Sequence, residues 1–371
     1  MAAPLILVSV SPGEQRTALW RDGRLEAAFV ERPFDMEGLG DVHVGRVSAR
    51  APAMAGAFVA LAGGVTGFLP DSAGAKGRGE GEWLRVTVSR AAQGGKGPRL
   101  ALHPGTEPLA GPPRLLAPGP DAPLLLAEAH PALTLRVDHP ATAARLRARL
   151  GRERVELIAT PAFDEPVEDE FTQLTGSEVP LPGGGRLTLH PTSALLAIDI
   201  DAGGLAGGRD ATAHRDLNAR ALAEAARQIR LRHLAGAILI DMAGMPAARR
   251  RELMPGFTAE LRQDPLARLV GITGLGLLEV QRRRVRRPLH EVLGLPLSPL
   301  SHGLAALRQG LVAARRRPGA RLVLSAAPSV LAALRQAGDT LAVFAAEAGP
   351  LELRPEPLRP LGEEHIHAEQ A

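Results

Sequence analysis

The stretch SALLAIDID at 193–201, followed by NARALAEAARQIRLRHLAGAILID at 218–241, decides the architecture. Each ends in a short apolar run closed by aspartate, the pattern of a buried strand. Between them the spacing predicts a helix over 216–234, with Leu222, Ala225 and Ile229 on one face and Gly236 as its C-terminal cap. Downstream, Pro246 can open another helix, which Pro255-Gly256 should break or kink. LVGIT at 269–273 reads as a third strand, and GLLEVQRRRVRR at 276–287 as a further helix. This β-α-β-α-β order predicts parallel strands with right-handed crossovers.

Asp199 and Asp201 are two apart on the first strand and therefore share a face. Asp241 ends the second strand. Parallel neighbours open at the same sheet edge, where α/β folds place ligands, so the three carboxylates are expected to converge. Like charges packed together call for a cation, and Mg²⁺ accepts oxygen ligands while keeping several waters. Aspartates also close strands simply to cap a helix or form a turn, and spacing alone leaves that alternative open.

Working outward, residues 4–30 read as two strands around a turn at Asp22-Gly23. Residues 39–103 contain five short strands with Gly-rich turns, which predicts a small barrel. Residues 104–123 are rich in Pro and Gly and read as a linker or irregular loop. Next come a strand LTLRV, a helix opened by Pro140, a strand VELIA, an acidic helix near VEDEFTQL and a hairpin through Gly183–Gly185. The last 70 or so residues read as a small α/β unit of two helices and short strands.

The 371 residues are 45% hydrophobic, enough for several cores, and no apolar run reaches the roughly 20 residues of a membrane span. The N-terminal apolar stretch lacks a basic flank and reads as a strand, not a signal peptide. Absence of cysteine excludes disulfides and cysteine-bound zinc, and fits a cytoplasmic protein. Net charge is +4 although the sequence pI is about 10.6. With no tyrosine, no cysteine and two lysines, Lys76 and Lys96, little titrates between histidine and arginine. The arginines cluster at 249–251, 282–284 and 286–287, which would attract a phosphate backbone or simply face solvent.

These segments together resemble the ribonuclease E/G family. The core stretches 193–201, 218–242 and 274–289 carry the resemblance, joined by 6–32, 41–70, 179–195 and 318–334 in the same order. The resemblance implies an α/β multidomain chain. Its parts would be an RNase H-like unit (1–37 and 124–190) interrupted by an S1 (OB-fold) barrel (38–103), then a DNase I-like catalytic unit (191–300) and a small C-terminal unit (301–371). It further implies a Mg²⁺-dependent endoribonuclease that cuts single-stranded RNA to 5′-phosphate and 3′-hydroxyl ends. Asp199 and Asp241 match the metal-binding aspartates, with Asp201 assisting as a third catalytic residue. Phe58, Phe68 and Lys96 match residues that contact RNA. Rings on such barrels stack bases, although either phenylalanine could equally be barrel core.

Three departures stand out. Asp201 replaces the family's usual asparagine, and an ionised carboxylate cannot donate a hydrogen bond. The linker 104–123 stands where the family's 5′-end sensor would be, so no preference for 5′-monophosphate is expected. LGLPLSPLS at 293–301 replaces the cysteines of the family's zinc-linked dimer, which leaves open a homo-oligomer of another kind. The competing readings are an RNA-binding protein with weak or no catalysis and, less favoured by the S1-like barrel, a metal-dependent nuclease acting on DNA.

Overall fold

The computed structural model describes residues 3–105, 111–203 and 211–369. Most of the glycine-rich stretch after Asp201, and the middle of the Pro/Gly segment, lie outside these residues. The chain divides into two compact units, one of 36–125 with 284–287 and one of the remainder.

Strands β1 (Leu5–Ser11), β2 (Glu14–Arg21) and β3 (Arg24–Glu31) form an antiparallel meander. The N-terminal stretch is therefore three strands and not two. The missed turn is at Pro12-Gly13, where Gly13 takes a left-handed φ of 81°.

The smaller unit is a closed five-stranded barrel, consistent with an S1/OB-like unit. Its strands are β4 (Val42–Ala51), β5 (Gly56–Ala60), β6 (Thr66–Pro70), β7 (Trp83–Arg90) and β8 (Arg99–Leu102). They run in the order β5-β6-β8-β7-β4, and β4 pairs again with β5 to close the ring. Alternate residues Val47, Val59, Leu69, Val86, Val88 and Leu100 fill the interior. Part of the Pro/Gly segment is not irregular. Arg114–Ala117 forms β9 along the first residues of β4. Four exposed residues hemmed by prolines give no alternation to read, and only the partner strand orders them.

Helix α1 (Ala122–Ala129) carries the chain onward to β10 (Leu135–Val137), α2 (Pro140–Leu150), β11 (Val155–Leu157) and α3 (Glu165–Gln173). β10 and β11 extend the meander as parallel strands beside β1.

The next part of the chain builds a six-stranded sheet. Its elements are β12 (Glu178–Pro180), β13 (Arg186–Pro191), β14 (Leu196–Asp201), α4 (Ala211–Leu231), β15 (Gly236–Asp241), α5 (Ala247–Arg250), α6 (Met254–Leu261), β16 (Ala267–Ile272) and β17 (Leu278–Arg282). Sheet order is β12-β13-β14-β15-β17-β16. Only β14 and β15 are parallel. β17 is a strand, not the expected helix, and it runs antiparallel to both β15 and β16. Its Leu278, Val280 and Arg282 alternate inward, which five residues can do as readily as they form a helical face. Helix α4 starts five residues earlier than expected and ends at Leu231. The left-handed residue behind it is His233, φ 54°, and Gly236 opens the next strand. Pro255 falls in the first turn of α6, where its missing N–H costs nothing.

Helices α7 (Leu289–Leu293) and α8 (Pro299–Arg316), β18 (Arg321–Ala326), α9 (Pro328–Arg335), α10 (Thr340–Ala348), β19 (Leu351–Pro355) and β20 (His365–Glu369) complete the larger unit. The three strands form a small sheet in the order β19-β18-β20. Among the described residues, no helix is long and apolar enough to cross a membrane.

Candidate metal centre and strand-binding face

In β14 and β15 the isoleucines turn inward and the aspartates outward. Ile198, Ile200, Ile238 and Ile240 join a core with α4 and α6, while Asp199 and Asp241 are exposed. The parallel register pairs Ile198 with Ile240 and Asp199 with Asp241. The two carboxylates therefore stand side by side on neighbouring strands, whose backbones run roughly 4.8 Å apart.

The loop behind Asp241 is tightly fastened. The Arg250 guanidinium donates to Asp241 Oδ1 at 2.9 Å, to the carbonyls of Gly276 and Met242 at 2.9 Å each, and to that of Met245 at 2.8 Å. Fully buried Asn218 on α4 clasps the same loop. Its Nδ2 donates to the carbonyls of Ala243 (2.7 Å) and His214 (2.9 Å), and its Oδ1 accepts from the Ala243 N–H at 3.0 Å. Gly244 adopts φ +57°, and a Cβ there would lie 2.6 Å from the His214 ring. Only glycine lets the loop pass that close.

Asp201 is directed elsewhere. β15 ends at Asp241, so at the level of Asp201 the neighbour is β13, and Arg186 is its register partner. Arg186 Nη2 pairs with Asp201 Oδ2 at 2.9 Å, while the Gly203 N–H donates to Asp201 Oδ1 at 2.9 Å. Among the described residues no three or more His, Cys, Asp or Glu side chains gather closely enough to hold a metal. The expected meeting of three carboxylates is thus replaced by a pair, Asp199 and Asp241, with Asp201 drawn aside by Arg186. Two exposed carboxylates still suit Mg²⁺, which takes one or two from a protein and fills its sphere with water and phosphate oxygens.

Two of the residues that build this arrangement, Asn218 and Arg250, were not anticipated. Asn218 carried a signal, because it falls on the apolar stripe of Leu222, Ala225 and Ile229, where a polar residue must find partners. Arg250 carried none beyond its place in an arginine cluster.

On the barrel, Phe58 and Phe68 are half-buried and point away from the interior, so neither is core. They are register partners on β5 and β6, with ring centroids 5.6 Å apart in an edge-on contact. The Phe68 ring lies over Gly56, where a Cβ would come within 2.5 Å of it. Lys96 is exposed in the β7–β8 connection, where its backbone bridges Gln93.

Comparison with known proteins places the site in context. Residues 137–285 match the Ribonuclease E/G family. That segment contains Asp199, Asp201, Asp241, Asn218 and Arg250. The chain is 36% identical over 121 residues to Ribonuclease E of Nostoc sp. (strain PCC 7120), a stretch covering 31% of this chain and 17% of that protein. It is 33% identical over 158 residues to Ribonuclease G of Escherichia coli (strain K12), covering 40% and 31% respectively. A chloroplastic Ribonuclease E/G-like protein of Arabidopsis thaliana is 31% identical over 153 residues, covering 39% and 15%. The ribonuclease E/G resemblance thus spans less than a third of each of these relatives.

Proposed function

We infer that the protein is a divalent-metal-dependent endoribonuclease acting on single-stranded RNA. The observation that carries this reading is the register pairing of Asp199 with Asp241 within the segment that matches the ribonuclease E/G family. Asp199 and Asp241 would hold the metal, taken to be Mg²⁺. When bound, it would supply charge neutralisation at the scissile phosphate and an activated water, giving 5′-phosphate and 3′-hydroxyl ends.

The chain's own residues do the rest. Arg250 fixes the orientation of Asp241, and Asn218 holds the loop that Asp241 leads into. Arg186 offsets the extra charge of Asp201, which would otherwise repel the incoming phosphate. Phe58 and Phe68 offer rings on which bases stack, each worth about 1–3 kcal/mol, and Lys96 an exposed cation on the β7–β8 connection. The RNase H-like and DNase I-like arrangement, the S1 assignment of the barrel, a cytoplasmic location and a homo-oligomer not linked by zinc belong to the same reading.

A second reading is an RNA-binding protein with weak or no catalysis. It is favoured by Asp201 in place of asparagine and by the Arg250 ion pair on one of the two metal carboxylates. Incubation of a single-stranded RNA with Mg²⁺ separates the readings. Cleavage by the wild type that is lost in Asp241→Asn supports the nuclease. Equal cleavage by both would falsify the metal assignment, and binding without cleavage would establish the second reading.

A further inference from the structure

Across the outer face of the barrel, four side chains succeed one another in register. Phe58 on β5 pairs with Phe68 on β6, Phe68 with Arg99 on β8, and Arg99 with Arg90 on β7. A bulge between Val88 and Arg90 shifts β7 by one residue and brings Arg90 opposite Arg99. The Arg99 guanidinium carbon lies 6.0 Å from the centre of the Phe68 ring. The row thus reads ring, ring, cation, cation. Lys96 belongs to the connection that leaves β7 at Arg90 and enters β8 at Arg99.

These two arginines differ from others in the same unit. Arg50 is paired with Asp71, Arg78 with Glu82 and Arg287 with Glu37. Among the described residues, neither Arg90 nor Arg99 has an acidic partner. Burial, and then the charges of Arg99 and Arg284, hold the Arg90 guanidinium below the ordinary arginine pKa. Arg90 and Arg99, register partners without an acidic partner among the described residues, are stabilised by an anion that spans the two. Successive phosphates of one strand meet that requirement, and the rings beside them accept the attached bases.

We propose that Arg90 and Arg99 form a phosphate rail beside the Phe58–Phe68 pair, so that the barrel holds one RNA strand with its bases on the rings and its backbone on the guanidiniums. This rests on the single-stranded RNA reading above and adds the residues that grip the backbone.

The test measures binding of a fluorescent oligouridine to the full chain without divalent metal, so that the probe is not cut, across a series of salt concentrations. Each phosphate contact contributes about 0.7 to the slope of log affinity against log salt for single strands. Arg90→Gln with Arg99→Gln should lower the slope by about 1.4, and the Arg90→Lys, Arg99→Lys pair should retain it. Phe58→Ala with Phe68→Ala should weaken binding at every salt concentration and leave the slope unchanged. An unchanged slope in the glutamine pair, with binding still weakened by the phenylalanine pair, overturns the rail and leaves the RNA reading standing. No binding by the wild type overturns both.

Discussion

Arg250 grips Asp241 at 2.9 Å with the same guanidinium that holds three backbone carbonyls around it. The carboxylate is thereby aimed by a side chain anchored on both the loop behind it and the β16–β17 turn. Arg250→Lys keeps the charge and loses the fork. It should slow RNA cleavage by about 10- to 100-fold through misplacement of Asp241, and cost about 1–3 kcal/mol of stability. Single-turnover rates and urea unfolding test the two effects. An unaltered rate would show that Asp241 needs no clamp.

Asp199 and Asp241 should behave as one unit. Asp199→Asn and Asp241→Asn should each abolish Mg²⁺-dependent cleavage, and the double variant should be no worse than either alone. Losses that multiply in the double variant would mean that the two carboxylates act independently.

Asn218→Ala should leave the half-buried Ala243 N–H and carbonyl without their Asn218 partner, at a cost of about 1–3 kcal/mol. Thermal unfolding reads that cost. Because the freed loop adjoins Asp241 directly, cleavage should fall at temperatures where the variant is still fully folded. Full activity there would confine Asn218 to a structural role.

Acid sensitivity has an identifiable source in the larger unit. Arg16 donates two hydrogen bonds to Glu168, at 2.7 and 2.6 Å. Burial pushes the Glu168 carboxyl up, but the hydrogen bond and the charge of Arg16, with that of Arg308, outweigh it and hold it below the usual glutamate value of 4.5. A carboxyl depressed in the folded state stabilises fully above 4.5, and that contribution is lost as pH falls through the folded value. Glu168→Gln should therefore be less stable than wild type at neutral pH and lose less below pH 4.5. Parallel stability–pH curves for the two proteins would rule this out.

Cleavage should not depend on a 5′-monophosphate, since the Pro/Gly segment contributes the short strand β9 where a sensor would be expected. Matched RNAs carrying 5′-monophosphate or 5′-hydroxyl should be cut at rates within about twofold. A clear preference for the phosphorylated RNA would contradict this.

The barrel was legible because period-two alternation between glycine turns has one interpretation in a short segment. The Asp199–Asp241 pair was legible because an apolar run closed by aspartate marks a strand end. β17 was not, since LLEVQR satisfies either period and only its pairing with β15 settles the matter. The fate of Asp201 was equally hidden. Two-residue spacing gives its face, but not that β15 stops two residues short of it and leaves it to Arg186.

The alternation of β14 and β15 couples the candidate site to the survival of the fold. Slipping one strand by a single residue would turn its aspartate inward and its isoleucines out, emptying the core that α4 covers. Mutation can delete either exposed carboxylate without opening the core, but it cannot gradually misalign the pair. Descendants of this chain would keep the paired carboxylates in place or lose one outright, and drift between those states is closed to them.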